Sequence, residues 1–358
     1  MGSGWEFYLT LLLVYLGVDI IACLGLNIQL GLAGIMDFAF IIFQAVGAYV
    51  YAIFTLGPAN GPGQGAGGQS YLWGTSLPFP LPYILATVAG VILAFFCAAV
   101  VLPRLRGDYE AMAFLVISLI ATGIATNQVG IFNGANGLYG IPQPLSGVLN
   151  LPTLSYDWFY VGLTAVICVL AWLVTRRITT SPMGRLLRAV RENEQAARAL
   201  GKDATRARMF AFLVGGGLAG LSGAVLVAFV TAWAPASWGY AESFVYITAI
   251  VVGGFGNDIG ILIGVLLVPI LFGELVRFLP AYGRSTWIGA AQLMVYGLLT
   301  LLFLWFRPQG LIPERRQRYA GGGEPSLRAG GTPSAPSAPS APSAGRIRAR
   351  LGPVGRLR

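Results

Sequence analysis

No histidine occurs in the 358 residues. That absence removes Ser-His-Asp triads, the H-E-x-x-H zinc motif and imidazole proton relays from this chain. Charge is scarce as well: Asp, Glu, Lys and Arg make up 10% of the residues, against about a quarter in an ordinary soluble protein. Among 23 cations only Lys202 is a lysine, and none precedes Arg104. Cys23, Cys97 and Cys168 stand singly in apolar stretches, without the paired spacing of a metal site or disulfide framework. The phosphate-loop pattern G-x-x-x-x-G-K-[ST] is also missing, so the chain cannot hydrolyse ATP through that motif. No residue stands out as catalytic, and no cofactor is expected in this chain.

What remains is apolar. Hydrophobic residues make up 56% and the mean hydropathy is +0.72, more apolar surface than a water-soluble core can hide. The expected fold class is all-α, a polytopic integral membrane helix bundle with about eight to ten spans. Runs of spanning character lie near Trp5 to Leu24, Phe38 to Leu56, Leu81 to Leu102, Ala111 to Asn127 and Trp158 to Val174. Four more follow near Met209 to Ala232, Phe244 to Gly254, Ile259 to Leu279 and Ile288 to Phe306. The seventh is short for a crossing, so a re-entrant segment stays open.

Cations sort the connections. Gly57 to Pro78 and Gly130 to Tyr156 lack Lys and Arg and read as external. Arg104 to Arg106 and above all Arg176 to Arg208 read as cytoplasmic. Parity then puts the N-terminus outside and the C-terminus inside, with Arg277 and Arg284 as misfits at the outer face. The formal charge of +9 is therefore a topology signal and not a nucleic-acid footprint. The expected division is a transmembrane domain over 1–312 and a cytoplasmic tail over 313–358. Ser-Ala-Pro repeats and five late arginines leave that tail unable to bury a core, close to anionic lipid.

The cytoplasmic connection 176–208 holds the strongest local signal. Ser181-Pro182 supplies an N-cap and an N1 proline for one helix running to Gly201, a C-terminal stop. Arg188 with Glu192 and Glu194 with Arg198 are four apart, and Leu186, Leu187, Val190, Ala197 and Leu200 give it an apolar face. Helix physics leaves two uses open: lying on lipid headgroups, or docking a cytoplasmic partner.

Asp19, Asp37 and Glu274 fall inside apolar stretches, where an unpaired charge costs at least a few kcal/mol. Asp37 follows Asn27, Gln29, Gly31 and Gly34 in a weakly helical stretch. It either caps the second helix or faces a polar cavity exposed by unwinding. Glu274 and Arg277 are three apart and would pair. Asn27, Gln29, Asp37 and the external-loop Asn136 are the candidate solute-pathway residues. Gly216, Gly220 and Gly223 have the small-residue spacing of close helix packing, and GGFGNDIG at Gly253 to Gly260 reads as a turn rather than a dinucleotide fingerprint.

Several stretches occur together and in order: NIQLGLAGIMDFAF (Asn27 to Phe40), GAYVYA (Gly47 to Ala52), RLRGDYEAMAF (Arg104 to Phe114) and NGLYGIP (Asn136 to Pro142). SPMGRLLRAVRENEQAARALGKDATRARMFAF (Ser181 to Phe212), GGLAGLSGAVL (Gly216 to Leu226), VVGGFGNDIGILIGVLL (Val251 to Leu267) and FRPQGL (Phe306 to Leu311) complete the set. In these the chain resembles the LivM-type permeases of branched-chain amino acid ABC transporters, over roughly residues 20–312. The resemblance implies a permease subunit of an ATP-driven importer in the bacterial inner membrane. It would pair with a second, LivH-type permease chain, two cytoplasmic subunits that bind ATP, and an extracytoplasmic substrate-binding protein. The loop helix would then be a coupling helix seated in an ATPase cleft, its contact falling on Glu192, Asn193, Glu194, Ala196, Ala197, Leu200 and Gly201. One departure bears on the solute. Family members often carry Ser and His where this chain reads Met36-Asp37-Phe38-Ala39, and relatives of this architecture also carry urea and amides. The rival from another class is an ion-coupled secondary transporter or channel using Asp19, Asp37 or Glu274.

Overall fold

The glycine spacing near residue 220 marks the helix about which the others are arranged. The structure, a computed structural model, describes residues 2–58, 68–105, 107–149, 152–277, 286–307 and 309–313. Its first half contains α1 (Gly2–Leu26), α2 (Phe40–Ile53), α3 (Leu81–Val101), α4 (Asp108–Asn127), the short α5 (Val129–Phe132) and α6 (Ser146–Leu149), and α7 (Thr153–Thr180). The second half has α8 (Pro182–Glu192), α9 (Glu194–Ala199), α10 (Ala204–Val230), α11 (Tyr240–Gly253), α12 (Asp258–Val265), α13 (Gly273–Arg277) and α14 (Thr286–Phe306). Among the described residues each of the nine apolar runs is mostly helical, and six helices are long and apolar enough to cross a membrane.

Burial separates centre from rim. In the apolar window of α10, 67% of residues are buried, against 22% for α7, so α10 is enclosed by protein and α7 turns most of its surface outward. Ile84, Ile92 and Phe96 on α3, Ile120 on α4, and Val166 and Leu170 on α7 are exposed. In a chain this apolar such faces are solvated by lipid. On α10 the small residues bring backbones together. A Cβ on Gly47 or Gly90 would run into the carbonyl of Gly220 or Gly216, and one on Gly223 into the carbonyl of Gln44.

Two helices depart from α geometry. After α1 the chain continues as a π-helix, Asn27–Leu32, wholly buried, and then leaves helical form until α2 begins at Phe40. After α12 a second π segment, Leu266–Phe272, contains Pro269, whose ring removes a donor and excludes regular i to i−4 pairing. The unwinding expected near Asn27 to Asp37 therefore occurs, but in the turn Ala33 to Ala39, with Asn27 and Gln29 still inside the coil.

Two ends are built differently. At one, β1 (Leu138–Tyr139) pairs antiparallel with β2 (Ala232–Trp233). Gln69 extends that ladder by side chain, donating to the Tyr139 carbonyl at 2.8 Å and accepting from its amide at 2.9 Å. Asn133 ties the same loops together, donating to the Gly137 carbonyl and accepting from the Ser70 amide. The opposite end carries α8, α9 and the GGFGNDIG turn, where Asn257 caps α12 through the Ile259 amide. The end of FRPQGL and the residue after it finish α11 there: Leu311 and Ile312 donate to the carbonyls of Val252 and Gly253, two of the acceptors a helix end leaves unpaired.

α11 has 14 residues, about 21 Å at 1.5 Å per residue, short of a hydrocarbon core about 30 Å thick. It leads from the β2 end to the α8 end and returns through α12, with Gly253 against Gly260 and Gly264 against Ala249. Tyr8 of α1 donates to Glu274 at 2.6 Å. The side chain of Arg277, together with Arg284, Arg106 and residues 314–358, lies outside the described residues.

Candidate functional site

Three short polar side chains fold the arginine-rich connection. Ser181 accepts from the Gly184 amide and caps α8, Asn193 accepts from the Ala196 amide and caps α9, and Asp203 accepts from the Arg206 amide and caps α10. One helix expected from Pro182 to Gly201 is thus two, broken at Asn193, whose φ of −155° and ψ of 99° are extended. The reason is local: an Asn carboxamide competes for backbone donors and favours a cap over a helix interior. The stop at Gly201 stands. Its φ is +75°, Gly201 donates to the Arg198 carbonyl, and Lys202 donates to the Ala197 carbonyl, the paired bonds of a Schellman motif.

The resulting module has an inside and an outside. Val190, Ala197 and Ala204 are buried together, with Leu186 packed against them. Glu192, Asn193, Ala196 and Gly201 are exposed, and Leu200 is 80% exposed. Glu194 is half-buried and pairs with Arg198 at 2.6 Å across one turn. Of the coupling residues expected from sequence, six therefore reach or border the surface, while Ala197 holds α9 onto α8 and α10. Among the described residues this leucine at the end of α9 has little to cover it.

The module is anchored from below. Arg188 donates to the Thr179 carbonyl at 3.1 Å, and Arg191 donates to the Gly31 carbonyl on the π segment after α1. Four residues into α10, Arg208 pairs with Glu110 of α4 at 2.5 Å, the two side chains 9% and 2% exposed. Sequence reasoning treated Arg208 only as a topology charge. The separation of 98 positions between the partners hides the pair from any local pattern.

The candidate pathway residues do not gather at one point. Asn27 accepts from the Gly256 amide at 2.9 Å, tying the π segment to the GGFGNDIG turn. Gln29 donates to the Phe212 carbonyl of α10, leaving its Oε1 buried and without a partner. Asp37 is fully buried; one oxygen accepts from the Ala39 amide at the start of α2, and the other has no partner. Its bond closes the turn just before α2, whose N-cap is Ala39, and no side chain caps that helix. Asn136 is exposed in the loop beside β1. Asp19 sits apart, reached by the Tyr246 hydroxyl, which also donates to Gln44. A cleft of about 330 Å³ between α1 and the second π segment has Asp19, Glu274, Gln292 and Tyr15 in its wall. Among the described residues no group of three or more His, Cys, Asp or Glu is disposed to hold a metal.

Nine apolar helical segments, a broken helix lined by buried polar groups and an exposed capped hairpin at one end together define a multi-pass membrane permease. The family model described as "Branched-chain amino acid transport system / permease component" matches residues 8–304, and the chain belongs to that family. As a permease component it works with other subunits of a transporter. It is similar to the high-affinity branched-chain amino acid transport system permease protein LivM of Escherichia coli (strain K12), 30% identical over 327 residues, covering 86% of this chain and 69% of that protein. It is also similar to the probable branched-chain amino acid transport permease protein LivM of Methanocaldococcus jannaschii, 28% identical over 341 residues and covering 86% and 94% of the two chains. A more distant likeness is the ribose import permease protein RbsC of Haemophilus influenzae, 27% identical over 201 residues and covering 52% and 55%. No solved structure matches the chain.

Proposed function

We propose that this chain is the solute-conducting half of an ATP-driven importer of branched-chain amino acids. It is paired with a second permease chain, two cytoplasmic ATP-binding subunits and an extracytoplasmic binding protein. The relatives named for branched-chain amino acid transport support the solute class. The observation that carries the mechanism is the α8–α9 hairpin: both of its helices are capped by side chains, Ser181 and Asn193, and Leu200 is 80% exposed. A docking surface on an ATPase needs such an element, because a flexible loop would absorb the motion instead of passing it on.

In this reading ATP is bound only by the partner subunits, and their closure pushes the exposed face of Glu192 to Gly201. The bundle responds by alternating access, with no bond made or broken in this chain. The arginine-rich end then faces the cytoplasm, and residues 314–358 continue from that side. Asn27, Gln29 and Asp37 border the path near the broken helix, and Asn136 meets the delivered solute at the outer end.

Leu200→Glu tests this cleanly, since Leu200 is 80% exposed among the described residues. Proteoliposomes holding the complete complex should lose at least about tenfold of their ATP-driven leucine uptake, the loss expected for one buried apolar anchor. The complex without this substitution should take up leucine, isoleucine and valine. Uptake of urea in their place would correct the solute, and undiminished leucine uptake by the L200E complex would contradict the docking role.

A further inference from the structure

Arg191 lies in the last turn of α8, two residues before the extended break at Asn193. Its guanidinium donates to the Gly31 carbonyl of the buried segment Asn27–Leu32, 160 positions away in the chain. That carbonyl is one the helix cannot satisfy itself. The segment pairs its amides backwards, Ala33 to Ile28 and Gly34 to Leu30, and the chain then leaves helical form, so the last carbonyls face no following amide. A cation at a helix C-terminus supplies both the missing donors and a charge of favourable sign.

The turn beyond is shaped around the same side chain. Gly34 has φ of +70°, and a Cβ there would stand 2.9 Å from Cγ of Arg191. Gly31 has no room for a side chain either, being closed in by Asn27 and by the Gly256 amide. The same stretch, Ala33 to Ala39, holds Asp37, fully buried with one oxygen unpartnered. Arg191 is thus the bridge from the exposed hairpin to the one place where the first membrane helix is broken beside buried polar groups.

We infer that Arg191 is a positioning residue that carries movement of the α8–α9 hairpin to the turn Ala33 to Ala39, so that engagement of the cytoplasmic subunits reshapes the broken helix. The inference rests on the proposed docking of that hairpin to an ATPase. A guanidinium held on a backbone carbonyl cannot slide without either dragging the segment or exposing the carbonyl in a dry interior, and exposure is the costlier outcome.

The test is backbone hydrogen exchange of the complete complex in lipid nanodiscs, nucleotide-free against trapped with ATP and vanadate. Two peptides are followed, one containing residues 192–201 and one containing residues 33–39. With Arg191 intact, both should change their exchange rates between the two states, the second by about tenfold. In Arg191→Ala the change at 192–201 should persist while that at 33–39 disappears, and Arg191→Lys, which keeps a donor for the Gly31 carbonyl, should restore part of it. A purely structural role would raise exchange in both states and leave their ratio unchanged, which would overturn the proposal. A response at 192–201 without one at 33–39 in the unsubstituted complex overturns it as well. No response at 192–201 in that complex contradicts the importer reading, and the inference falls with it.

Discussion

Arg208→Met should lower the stability of the purified chain in detergent by about 3–5 kcal/mol, the usual cost of leaving one member of a buried ion pair without its partner. Glu110 is 2% exposed and its Oε2 lies 2.5 Å from the guanidinium of Arg208, while its Oε1 has no other partner. Removing Arg208 therefore strands a carboxylate at the junction of α4 and α10. The double variant Glu110→Leu, Arg208→Met should recover most of the loss, because two apolar side chains of similar volume need no partner there. Thermal unfolding of the three proteins in one detergent measures this. A double variant as unstable as the single one would show that the pair contributes through its shape and not through its charge.

Gly223→Leu should keep the chain from accumulating as a monodisperse membrane protein, at a cost above about 3 kcal/mol. The obstacle is backbone: a Cβ at 223 collides with the Gln44 carbonyl and stands 3.1 Å from the Ala48 amide nitrogen of α2. Rotamer changes cannot relieve that contact, so α2 and α10 must separate. Gly297→Leu on α14 is the control, since a Cβ at Gly297 meets nothing within 4 Å. Size-exclusion profiles of fluorescent fusions compare the two, and a normal profile for G223L would refute the close packing of α2 on α10.

Both substitutions touch features that differ in how readily a sequence reveals them. The glycine spacing on α10 is local and periodic, so close packing at Gly216, Gly220 and Gly223 is readable in advance. Apolar run length locates the nine segments, because hydrocarbon thickness fixes how many apolar residues each must supply. Ser181-Pro182 and Gly201 likewise announce the ends of the hairpin. The break inside it is announced more faintly: Asn193 is a cap-forming residue, but helix periodicity on both sides of it masks the interruption.

Long-range partners leave no such trace. The spacing of Glu274 says nothing of Tyr8, which donates to it from 266 positions away. Arg191 on Gly31 and Arg208 on Glu110 arise only once α8, α10 and α4 are placed around the broken first helix. Asn27 reads as a pathway residue, and its bond from the Gly256 amide, which joins two turns, is invisible in the sequence. Polar groups in an apolar sequence signal that something must satisfy them. Whether the partner is protein backbone, a neighbouring side chain or a solute depends on packing that no window of sequence contains.

The account turns on what covers the exposed tip of the α8–α9 hairpin. A photo-crosslinking amino acid placed at position 200, in cells that also express the two ATP-binding subunits, measures this directly. The account predicts that illumination joins the chain to an ATP-binding subunit, in an adduct that disappears when the label is moved to the lipid-facing position Phe96. Adducts to lipid alone, with the ATP-binding subunits present and folded, would contradict it.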